Sequence, residues 1–164
     1  MTCTIISNGF EKYLICKNEY EKPYPEMKRI LRETIWDAYC NGYTDFYVNC
    51  EYGIPLWAAE IVCALKLYNT INLHIVTPYE EQATNWTEEQ RDRYYSIFGK
   101  SDSDVMVCTR YQEDCYYIAD ETMIDKSDLV LVFGTNKVCY AEMYAKNMGV
   151  EVKRVTFKVN HQFF

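Results

Sequence analysis

The chain has 164 residues, of which 49% are hydrophobic and 25% charged. This composition excludes a disordered chain, and the length suits one domain with a sizeable core. The formal charge of −7 argues against long nucleic acid as a partner, because that partner requires a basic surface. A small nucleotide is not excluded, since backbone N–H groups and one or two local cations can hold it. We therefore predict a single globular domain over residues 1–164.

The cysteines and the N-terminus indicate the cellular compartment. None of the eight cysteines forms a CxxC motif, and most lie in apolar runs such as EIVCALKL. Neither a zinc site nor a disulfide is indicated, and we predict no metal and no cofactor. The N-terminal segment MTCTIISNGF lacks a basic region followed by a long apolar segment. We therefore expect a cytoplasmic protein with reduced thiols and no membrane association.

Short β-rich runs alternate with helical patterns along the whole chain. An irregular, polar segment with two prolines, residues 7–25, follows the first run and predicts a loop. The Asn85 and Glu88 pair has capping-box spacing and predicts the start of a helix. In chain order the patterns predict a strand at 2–7, a helix at 26–40, a strand at 45–50, a helix at 55–68, a strand at 72–77 closed by Pro78, a helix at 85–98, a strand at 104–109, a short helix within 115–128, a strand at 129–134, a helix at 137–147 and a strand at 150–157.

This alternation predicts an α/β fold, a three-layer αβα sandwich around a mostly parallel sheet of about six strands. In such sheets ligands bind at the carboxyl ends of the strands, where the strand order reverses. The candidate site therefore lies at the strand exits, after Ser7, Cys50, Thr77, Thr109 and Phe133.

The second strand exit carries Glu51 and Gly53 and leads into a largely apolar helix. Pro55 suits the first helical position, but no Ser, Thr, Asp or Asn directly precedes the helix as a cap. The free N–H groups of the first turn therefore require a partner, which an anionic ligand group or water would supply.

Glu60 is the exceptional acid in that apolar helix. Near a cleft it could accept hydrogen bonds from ribose hydroxyls or act as an acid or base. Alternatively, it points to solvent along the helix edge or pairs with a nearby basic side chain.

The third strand exit combines a fixed turn, a polar loop and two aromatic residues. Aromatic faces can stack on a base, and the Gln82 amide can hydrogen-bond to a base edge. Alternatively, Trp86 fastens the loop to the core. The candidate ligand-binding residues here are Thr77, Pro78, Tyr79, Glu81, Gln82 and Trp86.

The first and fifth exits add two polar turns. Gly134 would allow the backbone to approach a ligand closely, and Thr135 or Asn136 could cap the following helix. The chain contains neither GxGxxG nor GxxxxGK[ST], so no standard dinucleotide or P-loop motif is present. The candidate ligand-binding residues at these two exits are Ser7, Asn8, Gly9, Gly134, Thr135 and Asn136.

Sixteen tyrosines are an unusual number for a chain of this length. Several occur as YY or CYY beside charged residues, which suits half-buried positions or a contact surface. Because tyrosine is favoured at protein interfaces, we expect a homo-oligomer, a dimer or higher.

Three segments give the chain a family resemblance. They are LWAAEIV after Gly53, TPYEEQATNWTEEQRDRYYSI, and KSDLVLVF followed by a helix and a last strand ending in TF. Over about residues 42–157 the chain resembles the SLOG superfamily, a Rossmann-like group that includes the LOG and DprA/Smf proteins. It looks closest to the YpsA-like branch.

The resemblance implies a nucleotide-derived ligand at the strand exits. Some SLOG members are N-glycosidases that release a base from a nucleoside monophosphate, and others are sensor domains for nucleotide signals. By position, Gly53 matches the family's loop glycine and Glu60 its acidic helix residue. The chain departs from its relatives where it has Cys50 for a glycine and Pro55 for an acid. It also lacks the glycosidase motif PGGxGTxxE, since FGTNKVCYAE offers only Gly134, Thr135 and a Glu142 out of register.

Three functional hypotheses follow from these patterns. The first is a binding protein that senses or sequesters a nucleotide-derived small molecule. If that molecule is an immune second messenger, sequestration is the simplest way for the protein to act, and its role would be anti-defence. The second is a nucleoside 5′-monophosphate N-glycosidase that uses Glu60 as its catalytic carboxylate. The third is a regulator that binds a protein partner through its tyrosine-rich surface. We expect binding rather than catalysis.

Overall fold

A computed structural model describes residues 1–9, 11 and 18–157. Residues 10 and 12–17, within the predicted loop, and residues 158–164 lie outside the described part of the chain. The described strands are β1 (Thr2–Ser7), β2 (Asp45–Val48), β3 (Asn72–Tyr79), β4 (Ser103–Cys108), β5 (Leu129–Gly134) and β6 (Glu151–Thr156). The described helices are α1 (Tyr24–Cys40), α2 (Ile54–Leu65), α3 (Glu88–Phe98), α4 (Cys115–Ile124) and α5 (Tyr140–Asn147). None of these five is long and apolar enough to cross a bilayer.

The strands form one parallel sheet in the order β4-β3-β2-β1-β5-β6. Parallel neighbours require crossover connections, and the helices between consecutive strands supply them. The predicted αβα sandwich with a parallel sheet is therefore confirmed.

Alternate residues of the interior strand β5 contribute to two separate cores. Leu129, Leu131 and Phe133 pack into the core that α1, α2 and α3 cover. Val130 and Val132 pack on the opposite face, against α4 and α5. All of β5 is buried because both faces of the sheet are covered, which explains its continuous apolar run LVLVFG.

Several predicted element boundaries were wrong. The third strand does not end at Pro78 but continues to Tyr79, which pairs with Cys108 of β4. Helix α2 begins at Ile54, one residue before the predicted start. Helix α5 begins at Tyr140, three residues after the predicted start, because the segment after β5 forms a turn first.

The capping box of α3 is two residues later than predicted. The Thr87 hydroxyl accepts a hydrogen bond from the Gln90 backbone N–H at 3.2 Å, and the Gln90 side chain accepts one from the Thr87 N–H at 3.1 Å. The segment NWTEEQ contains two overlapping pairs with the same spacing, and the structure uses the second pair.

Candidate functional site

The strand order reverses between β1 and β5, two neighbouring interior strands of the sheet. Consecutive strands β2, β3 and β4 extend from β1 towards one edge, and β5 and β6 extend towards the other. The carboxyl ends of β1, β2, β3 and β5 therefore meet at the place where parallel α/β sheets bind ligands. The residues predicted to bind ligand after these four strands lie along this end of the sheet.

Asn8 and Gly134 join the exits of β1 and β5. The Asn8 backbone N–H donates to the Phe133 carbonyl at 3.0 Å, and its side-chain amide donates to the Thr135 carbonyl at 2.9 Å. Gly134 has φ +144°, and a Cβ atom there would lie 1.8 Å from Asn8 Oδ1. The close approach that Gly134 was predicted to offer a ligand is therefore taken by Asn8 of the same chain.

Glu11 joins the exits of β1 and β2. Its Oε2 accepts a hydrogen bond from the Ser7 hydroxyl at 2.6 Å, and its Oε1 accepts one from the Ile54 backbone N–H at 3.2 Å. Gly53 has φ +116°, and a Cβ atom there would lie 2.7 Å from Glu11 Oε1. The same Ser7 hydroxyl accepts the backbone N–H of Gly9 at 2.9 Å. The first turn of α2 is thus capped by the Glu11 carboxylate of the same chain. The sequence did not predict this contact.

The turn after β2 holds Cys50 in an unusual backbone conformation. Cys50 has φ +55°, in the left-handed region that glycine adopts without a steric penalty. The preceding Asn49 stabilises the turn because its side-chain oxygen accepts the Glu51 backbone N–H at 2.9 Å. Cys50 is fully buried, and this burial raises the pKa of its thiol, so the thiol is held in its unreactive, protonated form.

The exit of β3 is packed with tyrosines around Gln82. The buried Gln82 amide accepts a hydrogen bond from the Tyr94 hydroxyl at 3.3 Å and donates one to the Tyr116 hydroxyl at 3.5 Å. Tyr79 packs edge-on against Tyr111 and Tyr116, with ring centroids 5.4 and 6.3 Å away. Gln82 therefore holds two tyrosines in place, while the Tyr79 ring remains half-buried at the end of the strand.

Trp86 packs edge-on against Tyr52 and Tyr94, with ring centroids 5.6 and 5.2 Å away. These contacts fasten the loop after β3 to α3 and to the exit of β2, as in the alternative given for Trp86. The other candidate residues of these exits differ in exposure: Thr77 and Pro78 are buried, and Glu81 and Asn136 are exposed.

Asp120 is a half-buried acid near these exits that sequence reasoning missed. Burial raises the pKa of its carboxyl group to about 8, and the charges of Glu51 and Glu121 add to the effect. Burial and then the charge of Glu51 also raise the pKa of Tyr116. Tyr116 and Asp120 are four residues apart on α4 and share one face of the helix. That spacing, in the segment YYIAD, is the signal that could have indicated Asp120.

Glu60 is held in an ion pair. The Arg93 guanidinium donates to both of its carboxylate oxygens, Nε at 2.7 Å and Nη2 at 2.8 Å, and also binds Glu19. Glu60 lines the grooves that run between α1 and α2 and between α2 and α3. The structure thus shows Glu60 paired with a basic side chain, which was the alternative to its role at the ligand.

Glu142 is also engaged in ion pairs. It is 2% exposed, and both Arg154 and Lys146 bind its carboxylate. The Arg154 hydrogen bond, more than any other contact, holds the pKa of Glu142 below its usual range.

Within the described part of the chain, no group of three or more His, Cys, Asp or Glu side chains is placed to hold a metal.

Sequence comparison agrees with this geometry. The family model described as YspA SLOG family, or YpsA, matches residues 8–159. The chain belongs to this family. Similar proteins include the UPF0398 proteins of Staphylococcus aureus strains JH9, Mu3 and COL. Each is 24% identical over 157 residues, which cover 92% of this chain and 83% of the relative. The resemblance to the YpsA-like branch is therefore confirmed.

Proposed function

We propose that this SLOG protein binds a nucleotide-derived small molecule at the carboxyl ends of β1, β2, β3 and β5, and that it senses or sequesters this molecule. The observation that carries the proposal is the meeting of Glu51, Tyr79, Tyr116 and Asp120 beyond the carboxyl ends of β2 and β3, at the same end of the sheet as the reversal of strand order. Loop and helix residues that surround this position in α/β sheets are the usual ligand contacts.

The chemical groups at this position suit a nucleoside moiety. The Glu51 carboxylate can accept hydrogen bonds from ribose hydroxyls, as acidic residues do in dinucleotide-binding folds. The half-buried Tyr79 and the exposed Tyr111 offer ring faces to a base. Asp120 keeps its proton up to about pH 8 and so can donate a hydrogen bond to a base nitrogen or carbonyl.

Binding is better supported than glycosidic cleavage through Glu60. A catalytic carboxylate has to reach the reacting atoms, whereas both oxygens of Glu60 accept hydrogen bonds from Arg93. The Glu142 carboxylate, near the position of the glycosidase motif, is held in the same way by Arg154 and Lys146.

The test is thermal unfolding in the presence of a panel of nucleosides, nucleoside phosphates and cyclic or linked nucleotides. A ligand at about 100 times its Kd adds about 2.7 kcal/mol to the free energy of unfolding. For a protein of this size that raises Tm by about 5 to 10 °C. Asp120→Ala and Glu51→Gln should reduce the shift, because Ala has no hydrogen-bond donor and Gln carries no charge, and Glu151→Gln, an exposed acid at the amino end of β6, should not. The absence of a shift with every compound would refute the proposal.

The same mixtures distinguish binding from catalysis. After incubation the protein is denatured and the small molecules are separated by chromatography. Intact ligand supports binding, and free base supports the N-glycosidase. If base is released and Glu60 is the catalytic residue, Glu60→Gln should abolish the release.

A further inference from the structure

The N-terminus of α2 carries a negative charge supplied by the chain itself. Glu11 is 6% exposed and binds the Ile54 N–H with one oxygen and the Ser7 hydroxyl with the other. Helix N-termini favour negative charge, because the free N–H groups and the helix dipole point at it. At a strand exit of an α/β sheet, this is the position where a ligand phosphate is commonly bound.

Gly53 makes room for this carboxylate. A side chain at position 53 would place its Cβ 2.7 Å from Glu11 Oε1 and 3.0 Å from Glu11 Cγ. The glycine that would let a phosphate approach the backbone is therefore in contact with Glu11. A phosphate could reach the Ile54 N–H only by displacing a buried, doubly hydrogen-bonded carboxylate.

The neighbouring charges oppose a phosphate as well. Glu51 is half-buried in the same turn as Gly53 and acts electrostatically on Asp120. Two cations near the described exits, Arg110 and Lys137, have exposed side chains, where solvent screens their charge. A third, Arg154, donates to the Thr135 carbonyl, and its charge is paired with Glu142. Like charges at close range in a partly desolvated site discriminate strongly against a ligand.

We propose that Glu11 is a specificity-determining residue: it takes the place of a ligand phosphate at α2, so the site selects nucleosides over nucleoside 5′-phosphates. This inference rests on the proposed function and names the ligand class of the same site. It also separates this chain from any relative that acts on nucleoside monophosphates.

The first experiment compares matched ligand pairs, adenosine with AMP and the corresponding pairs for the other bases, by calorimetry. The wild type should bind the nucleoside tighter than its 5′-monophosphate by on the order of tenfold, the effect of about one like charge at close range. Glu11→Gln keeps an oxygen for the Ile54 N–H and removes the charge, so the ratio should fall towards one. Glu151→Gln makes the same change of net charge at the opposite end of the sheet and should leave the ratio unchanged.

A wild type that binds the monophosphate as tightly as the nucleoside would overturn the inference while leaving the proposed function in place. An unchanged ratio in Glu11→Gln would overturn it too. If no nucleoside and no nucleotide binds the wild type, the proposed function fails, and a second experiment judges the role of Glu11 without such ligands.

That second experiment uses Glu11→Ala, which vacates the N-terminus of α2. Its Tm should be lower than that of the wild type, and formate or inorganic phosphate should raise it more than chloride does at the same ionic strength. The wild type should show only the general effect of each salt on stability, so the quantity measured is the additional rise in Tm of Glu11→Ala over the wild type. No additional rise with formate or phosphate would show that no anion replaces the carboxylate and would refute the assignment. If Glu11→Ala does not fold, the same salts are compared on Glu11→Ser, which also vacates the position, and the absence of an additional rise in Tm would again refute the assignment.

Discussion

Replacing Gly134 with alanine should destabilise the fold through backbone strain and through one identifiable contact. Gly134 has φ +144°, a backbone conformation that side chains rarely adopt. The added Cβ would also lie 1.8 Å from Asn8 Oδ1 and 2.3 Å from Asn8 Cγ, so the Asn8 side chain has to move. That movement breaks the hydrogen bond from Asn8 to the Thr135 carbonyl.

The two effects have different magnitudes. Backbone strain of this kind costs about 2 kcal/mol, and the lost hydrogen bond costs about 1 kcal/mol. Gly134→Ala should therefore lower the free energy of unfolding by about 3 kcal/mol. With a urea m-value of about 2 kcal/mol/M, the unfolding midpoint should fall by about 1.5 M.

A double-mutant cycle in urea separates the strain from the contact. Asn8→Ala removes the atoms that the new Cβ would meet, so in that background Gly134→Ala should cost only about 2 kcal/mol, a coupling of about 1 kcal/mol. Gly149→Ala is the matched control, because Gly149 also has a positive φ but a Cβ added to it would meet nothing within 4 Å. Its cost should not depend on Asn8. If the Gly134 and Asn8 changes prove additive, the proposed contact is refuted.

Three further predictions concern stability. The Asp120 carboxyl group keeps its proton up to about pH 8 in the folded protein and releases it near pH 4 in the unfolded chain. The free energy of unfolding of the wild type should therefore fall, relative to that of Asp120→Asn, as the pH rises from about 4 to about 8. A difference in urea midpoints that does not change with pH would contradict this prediction. Arg154→Met leaves the buried Glu142 carboxylate with Lys146 alone and should lower the free energy of unfolding in urea by about 3 kcal/mol. A decrease near zero would show that the ion pair contributes little to stability. Thr87→Ala removes the α3 cap and should lower the free energy of unfolding by about 1 kcal/mol, measured in the same way. Gln90→Ala should lower it by a similar amount. If neither variant lowers it, the capping box is contradicted.

The interior of the sheet was predictable because strands such as β1 and β5 are buried on both faces. The run LVLVFG was predicted as a strand with the observed bounds, since a short, continuous apolar run between polar segments is typical of a strand that is buried on both faces. The start of α3 was less determined, because NWTEEQ holds two pairs with capping spacing and the choice depends on tertiary packing. The ends of helices and strands were wrong by a few residues for the same reason.

The candidate site was only partly predictable. The topology placed its loops correctly, since strand exits follow from the alternation of strands and helices. The contacts within it join positions far apart in sequence: Glu11 reaches Ile54, Asn8 reaches Gly134, and Arg93 reaches Glu60. No local pattern predicts such pairs. The cytoplasmic location, the homo-oligomer and the ligand itself stay predictions.

The central position of β1 has a consequence for how the chain folds. Thr2 donates its backbone N–H to the Asp128 carboxylate at 2.9 Å across 126 positions of sequence, and β1 pairs with β5 along its length. Folding is slow where native contacts join distant segments, because the intervening chain must be closed into a loop first. During synthesis β1 therefore has one unpaired side until β5 has been made. We expect nascent chains that stop before β5 to be held by chaperones and to be cut readily by proteases, and chains that extend through β5 to become resistant.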